Sequence, residues 1–447
     1  MKYEQLLKPK KILRENWKGY YTVPSQKVYP FQWSWDSAFI AIGLSYYDQE
    51  NAKKELISLF KGQWENGMLP HIVMHHMDET YSPGPGFWQT DRSENAPQKV
   101  VTSGIIQPPL HATAALWIYQ NADDKSLCRE FLSKIYPKLK RWHYYLKFNR
   151  DPFNEGLLYI EHPWESGQDN SPLWDRALQQ LSIHDSVLPH FERSDNILID
   201  RSERPSDKDY KRYAYLVYKL RDCNYDDDCI KEHNPFLIQD VLFNVIWCRA
   251  NKELSQIARI LGEQDDSTFQ RWAEQTEYAI NNKLWSETDS IYLDFDLLKG
   301  KTINKHAAAG FTPLYAAVSN RDQSDKMLHY MNSSCFCRLN ESCLALPSYD
   351  KSKFGYNRKK YWRGPIWLNI NWIIYKGLQN YNYDLYADWV KKTILTLPQK
   401  YGFQEYYDPE SGTGYGASNF SWSAALYLAV LYEHQKQVQK NNYSPFI

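Results

Sequence analysis

The chain has 447 residues, and its 53 basic residues balance 53 acidic ones, so its formal net charge is zero. This balance removes the electrostatic basis for binding nucleic acid or an anionic membrane surface and favours a small-molecule partner. Aromatic residues make up 16% of the chain, with 17 Trp and 35 Tyr, and such rings suit a partly apolar, partly hydrated pocket for a carbohydrate.

Targeting signals and metal-binding patterns are scarce. Residues 1–11 contain no apolar stretch of signal-peptide length and no membrane-spanning run follows, so we expect a cytoplasmic protein. The seven cysteines lack paired C-x-x-C spacing, and we predict free thiols, mostly buried. His71, His75 and His76 lie in an irregular stretch that fixes no ligand geometry, so we expect no metal and no cofactor.

Helical periodicity dominates the chain from its first apolar run onwards. The first helix is predicted to start at Asp36, whose carboxylate can cap the helix or bind sugar hydroxyls beside Trp33 and Trp35. Further helices are predicted over residues 51–64, 108–120, 127–148, 237–248, 269–280, 305–318, 323–331, 365–378, 385–397 and 420–432. The last is apolar on all sides and is predicted to be central. About a dozen helices without a fixed repeat predict an all-α toroid of paired helices.

Two long stretches lack this periodicity. Residues 68–107 are rich in Pro and Gly, and a structureless stretch of this length is usually functional, so we predict a lid or wall of a pocket. Residues 181–234 are polar and are predicted to form a second, cap-like insertion. Within them Arg204 can bind a carboxylate through two N–H donors. The aspartates at 226–228 are predicted to form a solvated face.

Four loop segments share one composition of aromatic rings with carboxylates, amides or arginine. They are residues 33–36 (WSWD), 164–169 (WESGQD), 361–365 (YWRGP) and 404–407 (QEYY). Each lies at or near a predicted helix start. Loops that enter the inner helices of such a barrel gather at one end, so we expect the four segments to surround one pocket. Indole faces would cover a sugar ring there, and carboxyls would perform the chemistry.

Glycoside hydrolysis needs two carboxyls across the scissile bond, one protonated as the acid and one ionised as the base or nucleophile. Asp169 and Glu405 are the predicted pair. From the residues alone four other carboxyls compete with them: Asp36, Glu165, Asp175 and Asp408. A capping role is also open for carboxyls in such turns.

The order of these segments resembles glycoside hydrolase family 63 and, within it, the bacterial glucosylglycerate and mannosylglycerate hydrolases. The likeness runs from residue 29 to residue 425 and includes residues 66–71 (NGMLPH), 81–85 (YSPGP), 106–109 (IQPP) and 204–207 (RPSD). It departs at Gln168, where relatives carry methionine, and at residues 222–232, which have no clear counterpart.

The resemblance implies an (α/α)6 barrel, one catalytic domain over residues 1–447, that hydrolyses 2-O-α-glucosylglycerate or mannosylglycerate with inversion. Asp169 would be the general acid and Glu405 the general base. Eight residues would surround the sugar: Tyr29, Trp33, Trp35, Asp36, Glu165, Tyr361, Trp362 and Trp367. Four would hold the glycerate carboxylate: Tyr81, Gln107, Arg204 and Tyr210. A guanidinium group together with hydroxyl and amide donors suits a carboxylate.

Two carboxyls near Asp169 receive roles of their own. Glu165 is expected to bias Asp169 towards protonation by like-charge repulsion. Asp175 is expected to be structural, in the helix that follows.

Other functions stay open at this point. A neutral α-glucosidase such as a trehalase-like enzyme is one, and a non-catalytic sugar-binding protein is another. A sugar epimerase is a third, since His162 and His306 are available as acid and base. The glucosyl or mannosyl preference is not defined, and a homo-oligomer is as compatible with the sequence as a monomer.

Overall fold

The computed structural model describes residues 4–78, 81–183, 193–339 and 343–442. No helix in these ranges has both the length and the apolar character that crossing a membrane requires. The α-helices are α1 Glu4–Asn16, α2 Ser34–Leu44, α3 Gln49–Leu59, α4 Pro85–Trp88, α5 His111–Asn121, α6 Lys125–Asn149, α7 Asp175–Gln179, α8 Asp195–Leu198, α9 Asp207–Asp222, α10 Asp227–His233, α11 Val241–Leu261, α12 Asp266–Ala279, α13 Arg321–Met331, α14 Leu368–Asn380, α15 Asp384–Tyr401 and α16 Ser421–Asn442.

Six helical segments form a closed inner ring. In order they are α2, α5, α11, the 3₁₀ helix Ala308–Leu314, α14 and α16, and α16 packs back against α2. One outer helix backs each of them: α3, α6, α12, α13, α15 and α1, in the same order. The chain is therefore an (α/α)6 barrel, which confirms the predicted fold class.

The inner helices are those with the most apolar sequences. Every residue of α2 is buried, and residues 421–431 of α16 are buried as well, as predicted for a central helix. Gly43 on α2 lies so close to α16 that an added Cβ would overlap the backbone oxygen of Ala425. This contact closes the ring.

The segment predicted as a helix over residues 305–318 is a 3₁₀ helix, Ala308–Leu314. Pro313 lies inside it and has no N–H for an α-helical hydrogen bond. The segment nevertheless occupies an inner position because all its residues are buried.

The prediction that residues 68–107 lack structure is wrong in detail. The insertion contains β2 Ile72–Met74, α4, the 3₁₀ helix Thr90–Arg92 and β3 Val101–Thr102. Strand β2 pairs with β1, Gln32–Trp33, and with β3, so the insertion is tied to the start of α2. Each element is too short to give a readable period. Residues 79–80 lie outside the described ranges.

The second insertion, residues 181–234, is also more regular than predicted. In its described part it contains α8, the 16-residue α9 and α10. Ser206 opens α9 through a capping box with Asp209. Charged residues between the apolar positions of α9 account for the irregular appearance of this stretch. Residues 184–192 lie outside the described ranges.

The aspartates at 226–228 form a solvated face only in part. Asp226 and Asp228 are exposed, and the Asp226 side chain also caps α10 by accepting a hydrogen bond from the backbone of Cys229. Asp227 is turned inward, where the Tyr145 hydroxyl donates to it at 2.7 Å. The prediction therefore holds for two residues of the three.

The prediction of free thiols is wrong for four of the seven cysteines. Cys223 is bonded to Cys229 and Cys337 to Cys343. The first bridge joins the end of α9 to α10, where a tight turn brings the Cα atoms to 5.6 Å. A separation of six residues resembles neither a metal nor a redox motif, so no pattern in the sequence marks it. The other cysteines are free.

The remaining strands form one three-stranded sheet and two pairs. Strand β4, Ile238–Gln239, pairs with β7, Phe295–Asp296, which pairs with β8, Lys301–Thr302. One pair consists of β5, Trp285–Ser286, and β6, Ile291–Tyr292. A hairpin consists of β9, Gln404–Tyr407, and β10, Gly414–Ser418. The segment predicted as the loop 404–407 is therefore a strand leading into α16.

The contact between α2 and α16 can be tested with Gly43→Ala. The added methyl group has no space against α16, so we expect a loss of about 1–3 kcal/mol in the free energy of unfolding, measured by denaturant titration. Gly86→Ala is the control, because nothing lies within 4 Å of its added Cβ. Equal stability of the two variants would contradict the close approach of the two helices.

Candidate active site

One end of the barrel carries a cavity lined mainly by aromatic and charged side chains, a lining that suits a small polar ligand. Its wall comes largely from the segments that enter the inner helices α2, α5, α14 and α16. The structure therefore brings the four aromatic segments together, as predicted. Thirteen predicted site residues line the cavity: Asp169, Glu405, Tyr29, Trp33, Trp35, Asp36, Tyr81, Gln107, Arg204, Tyr210, Tyr361, Trp362 and Trp367.

Glu405 lies on β9 with a carboxylate held by three donors. The Tyr29 hydroxyl donates to its Oε1 at 2.8 Å, and Arg204 Nη1 lies 3.5 Å from the same oxygen. The backbone N–H of Ala417 donates to Oε2 at 2.8 Å. These three contacts fix the orientation of the carboxylate.

The hairpin is shaped to bring a backbone donor to Glu405. The pairing of β9 with β10 is irregular between Tyr415 and Ser418, and the Ala417 N–H points at the carboxylate from this irregularity. Gly416 has a φ of +69°, and a Cβ there would overlap Oε2 of Glu405. Only glycine adopts this positive φ without strain and also leaves room for the Glu405 carboxylate.

Asp169 has a different environment. It follows the 3₁₀ helix Pro163–Ser166, and Gly167, with a φ of +70°, packs its bare Cα against the Trp35 ring. The backbone oxygen of Asp169 accepts from the Tyr213 hydroxyl at 3.0 Å, which holds this segment in place. In the described ranges no side chain donates to the Asp169 carboxyl.

Burial raises the pKa of Asp169 to about 7, against the opposing effect of Arg204 and with a further contribution from Glu405. The cavity therefore holds one carboxyl that keeps its proton up to about neutral pH and, beside it, a carboxyl whose oxygens accept from three donors. Two titratable groups in contrasting environments are the arrangement that acid–base catalysis requires.

Asp36 is a third carboxyl in the cavity. It lies in the first turn of α2, which begins two residues earlier than predicted, and it is buried. Burial raises its pKa well above the usual value, and the charge of Glu405 adds to this effect. A neutral Asp36 can donate a hydrogen bond to a ligand hydroxyl.

Arg204 is the cation of the cavity. Its guanidinium lies 4.1 Å from the centre of the Tyr361 ring and also faces Tyr29. Arg204 Nε donates to Asp195, a buried residue that the sequence analysis did not single out. Nothing in the local sequence marks Asp195, because its partners come from other segments.

Glu165 is the one predicted site residue that lies outside the cavity lining. Arg150 binds both its oxygens, Nη1 to Oε2 at 2.9 Å and Nη2 to Oε1 at 3.0 Å. The backbone N–H groups of Ile106 and Glu161 donate to the same carboxylate. The prediction that Glu165 binds sugar hydroxyls is corrected, because its side chain points behind the wall.

Glu165 is also not among the main causes of the raised pKa of Asp169. The acidic groups that contribute most to the raised pKa of Asp169, after burial itself, are Glu405 and Asp195. Asp175 is structural, as expected: it forms a two-point ion pair with Arg363. Glu165 instead ties the 3₁₀ helix of its own segment to the segment before α5.

Several cavity residues escaped the sequence analysis: Pro24, His71, Ile72, Pro83, Trp88, Trp164, Gly167, Phe420 and Trp422. His71 and Trp164 lie within motifs that carried the resemblance, so those motifs were the available signal. His71 Nδ1 is paired with Ser103 Oγ at 2.8 Å, which leaves Nε2 for a ligand. Burial holds the pKa of His71 well below its usual value, so the ring is neutral.

The histidines considered for an epimerase lie elsewhere. His162 is buried, with ring nitrogens 3.0 Å from Trp164 N and 3.1 Å from the Tyr213 backbone oxygen. The ring nitrogens of His306 are hydrogen-bonded to the side chains of Tyr330 and Asn304. Neither lines the cavity. In the described part of the chain no group of three or more His, Cys, Asp or Glu side chains could hold a metal ion.

Comparison with known proteins gives close matches along the whole barrel. Residues 29–423 match the family described as the mannosylglycerate hydrolase MGH1-like glycoside hydrolase domain. The mannosylglycerate hydrolase of Rubrobacter radiotolerans is 44% identical over 433 residues, which cover 97% of this chain and 98% of that protein. The glucosylglycerate hydrolase of Mycolicibacterium hassiacum is 34% identical over 427 residues, 93% of this chain and 95% of its own.

A solved structure matches equally well. The GH63 mannosylglycerate hydrolase from Thermus thermophilus, in complex with Tris and D-glycerate, has a TM-score of 0.89 at 39% identity. The match covers 95% of this chain and 99% of that one. Both the barrel and its cavity segments therefore have a solved counterpart.

The structural role of Glu165 can be tested with Glu165→Gln. Loss of a buried charge beside Arg150 is expected to cost about 3 kcal/mol of folding free energy, measured by denaturant titration. The control is Glu410→Gln, because Glu410 also pairs with an arginine but is exposed, so a change within about 1 kcal/mol is expected. Unchanged stability with a raised KM would instead assign Glu165 to the substrate.

Proposed function

The chain belongs to the MGH1-like glycoside hydrolase family, and we propose that it hydrolyses 2-O-α-glucosylglycerate or mannosylglycerate with inversion. The products are glucose or mannose and glycerate. The observation that carries the proposal is the cavity itself, which brings together the Asp169 carboxyl with its raised pKa, the Glu405 carboxyl with its three donors and the Arg204 cation. This combination suits an acidic glycoside.

Asp169 is the general acid. With a pKa of about 7, its carboxyl carries a proton at neutral pH and donates it to the glycosidic oxygen as the bond to the anomeric carbon breaks. The bonding electron pair stays on that oxygen, which becomes the 2-hydroxyl of glycerate. Asp169 ends the step as a carboxylate.

Glu405 is the general base. It accepts a proton from a water molecule whose oxygen attacks the anomeric carbon on the face opposite to the leaving group. Attack from that face inverts the configuration. The two carboxyls of an inverting enzyme stand about 6.5–9.5 Å apart, which leaves room for this water. Tyr29 and Ala417 fix the carboxylate for this task.

Aromatic side chains hold the sugar and limit the access of bulk water. Trp362 and Trp367 stack with their ring centroids 3.8 Å apart and their planes 4° from parallel, which makes one rigid wall. Trp33 and Trp35 supply the wall next to Asp36. Rings that are packed against one another lose little freedom when a ligand binds, which favours affinity.

Arg204 supplies the charge for the glycerate carboxylate, together with Tyr81, Gln107 and Tyr210. The Gln107 Oε1 accepts from the Trp35 backbone N–H at 3.1 Å, and this bond turns the amide nitrogen of Gln107 away from Trp35. A guanidinium with an amide donor recognises a carboxylate by geometry as well as by charge. A neutral disaccharide offers no carboxylate to these donors, which argues against a trehalase-like enzyme.

The stereochemistry and the substrate class can be tested together by proton NMR during hydrolysis. We expect turnover of both glycerate glycosides, with the β-anomer of the sugar appearing first, because water attacks opposite to the leaving group. Trehalose is the neutral control and is expected to react at least ~100-fold more slowly, since it offers no carboxylate.

The results that would contradict the proposal are specific. Release of the α-anomer first would exclude inversion, and faster turnover of trehalose would exclude an acidic substrate. The ratio of the rates on the two glycerate glycosides measures the sugar preference directly.

The roles of the two carboxyls can be tested with Asp169→Asn and Glu405→Gln. Each variant is expected to lose about 10²–10⁴-fold in kcat, because each lacks one proton-transfer group. In the native enzyme kcat/KM is expected to fall tenfold per pH unit above about pH 7, since Asp169 must be protonated and its pKa is about 7. Asp169→Asn should remove this decline from the residual activity.

Asp175→Asn is the matched control for these variants, because it changes a nearby carboxyl that pairs with Arg363 outside the cavity. Its pH profile is expected to match that of the native enzyme. Retention of full activity in Asp169→Asn or in Glu405→Gln would refute the mechanism.

A further inference from the structure

Asp195 lies directly behind Arg204 and does not line the cavity. It is buried, and its carboxylate accepts four hydrogen bonds from three side chains. Arg193 Nε donates to Oδ1 at 3.1 Å and Arg193 Nη2 to Oδ2 at 2.8 Å. Arg204 Nε donates to Oδ2 at 3.0 Å, and the Tyr210 hydroxyl donates to the same oxygen at 3.2 Å.

We propose that Asp195 is a positioning residue for recognition of the substrate carboxylate, and that Arg193 compensates the charge that Asp195 brings to the site. The inference rests on the proposed function, because it assigns Arg204 and Tyr210 to the glycerate end of the substrate. Asp195 touches both of them from the side away from the cavity.

The geometry of Arg204 shows why it needs such a partner. An arginine side chain has many rotamers, and holding one of them costs binding free energy unless the protein fixes it beforehand. Asp195 binds the Nε–H, while the Tyr361 ring covers the plane of the guanidinium. With Nε bound from behind, the terminal nitrogens are directed towards the cavity, where Nη1 lies 3.5 Å from Glu405.

The charge of Asp195 would compete with the substrate for Arg204 if it were not balanced. Arg193 balances it through two N–H donors, and Arg193 is itself fixed by the backbone oxygen of Pro205 at 2.7 Å and by Asp207 at 2.9 Å. Burial acts to raise the pKa of Asp195, but Arg204 and Arg193 outweigh it and hold the pKa below its usual value. The charge of Asp195 is therefore compensated by two guanidinium groups, one of which does not face the cavity.

The same short segment reaches the other insertion beside a residue assigned to the glycerate end. Ser194 Oγ accepts from the backbone N–H of Ser82 at 3.1 Å, and Ser82 follows Tyr81, which lines the cavity. Residues 193–195 belong to the second insertion and therefore contact the first insertion at this place. Asp195 holds Arg204 from behind, and Arg193 covers the ring of Tyr210.

The test compares Asp195→Asn with the native protein in kinetics on both glycerate glycosides and in calorimetric titration with D-glycerate and with glucose. We expect the KM for the glycosides and the Kd for D-glycerate to rise at least ~tenfold, while kcat changes less than about threefold. The Kd for glucose should stay within about twofold, because the sugar walls do not touch Asp195. A general distortion of the cavity would weaken the binding of both ligands.

Asp207→Asn is the matched control, because Asp207 also pairs with Arg193 but is exposed and does not contact Arg204. Its KM and Kd values are expected to stay within about twofold of the native ones. Should Asp195→Asn fail to fold, Arg193→Met is the second variant, and it is expected to raise the Kd for D-glycerate about threefold or more.

The outcomes separate the inference from the proposed function. Unchanged D-glycerate binding in Asp195→Asn overturns the inference. If Asp195→Asn does not fold, unchanged D-glycerate binding in Arg193→Met overturns it instead. A native protein that binds no D-glycerate also overturns it. Equal losses for D-glycerate and glucose also overturn it. A native protein that binds D-glycerate through Asp195 but hydrolyses neither glycoside refutes the proposed function alone, and the inference then describes a small-carboxylate site.

Discussion

The buried guanidinium of Arg204 is the interaction on which the chemistry of this cavity depends. A cation removed from water is costly unless anions and hydrogen-bond acceptors surround it, and Asp195 and Glu405 provide them here. The same cation lies 3.5 Å from an oxygen of Glu405, and it acts only through space on a carboxyl to which it makes no bond. Asp169 is such a carboxyl, so burial prevails there and the proton is kept.

The barrel itself offsets part of the repulsion among the acidic groups around the cavity. The cavity lies at the N-terminal ends of inner helices, including α2, α14 and α16, and these ends carry partial positive charge from the helix dipole. Closure of the ring brings three distant parts of the chain to one place. The fold thus supplies both the convergence of the segments and a field that favours anions.

The sequence predicted those features that repeat along the chain or sit inside compact motifs. Amphipathic periods located most helices, and the four aromatic segments located the cavity. Glu165 was assigned wrongly, because proximity in sequence to Asp169 says nothing about direction, and the 3₁₀ turn points its side chain towards Arg150. Asp195 could not be found, since its role depends on contacts with Arg204 and Tyr210 that only the folded chain creates. The disulfides were missed for the same reason.

The zero net charge of the chain and the burial of Arg204 together govern how ionic strength affects the enzyme. A chain without net charge exerts little long-range attraction, so electrostatic steering of an anionic ligand is weak at any salt concentration. A cation that is only 3% exposed is poorly screened by mobile ions, so its short-range attraction persists when salt accumulates. Recognition of a charged solute by such a site therefore tolerates wide changes in the salt content of its surroundings.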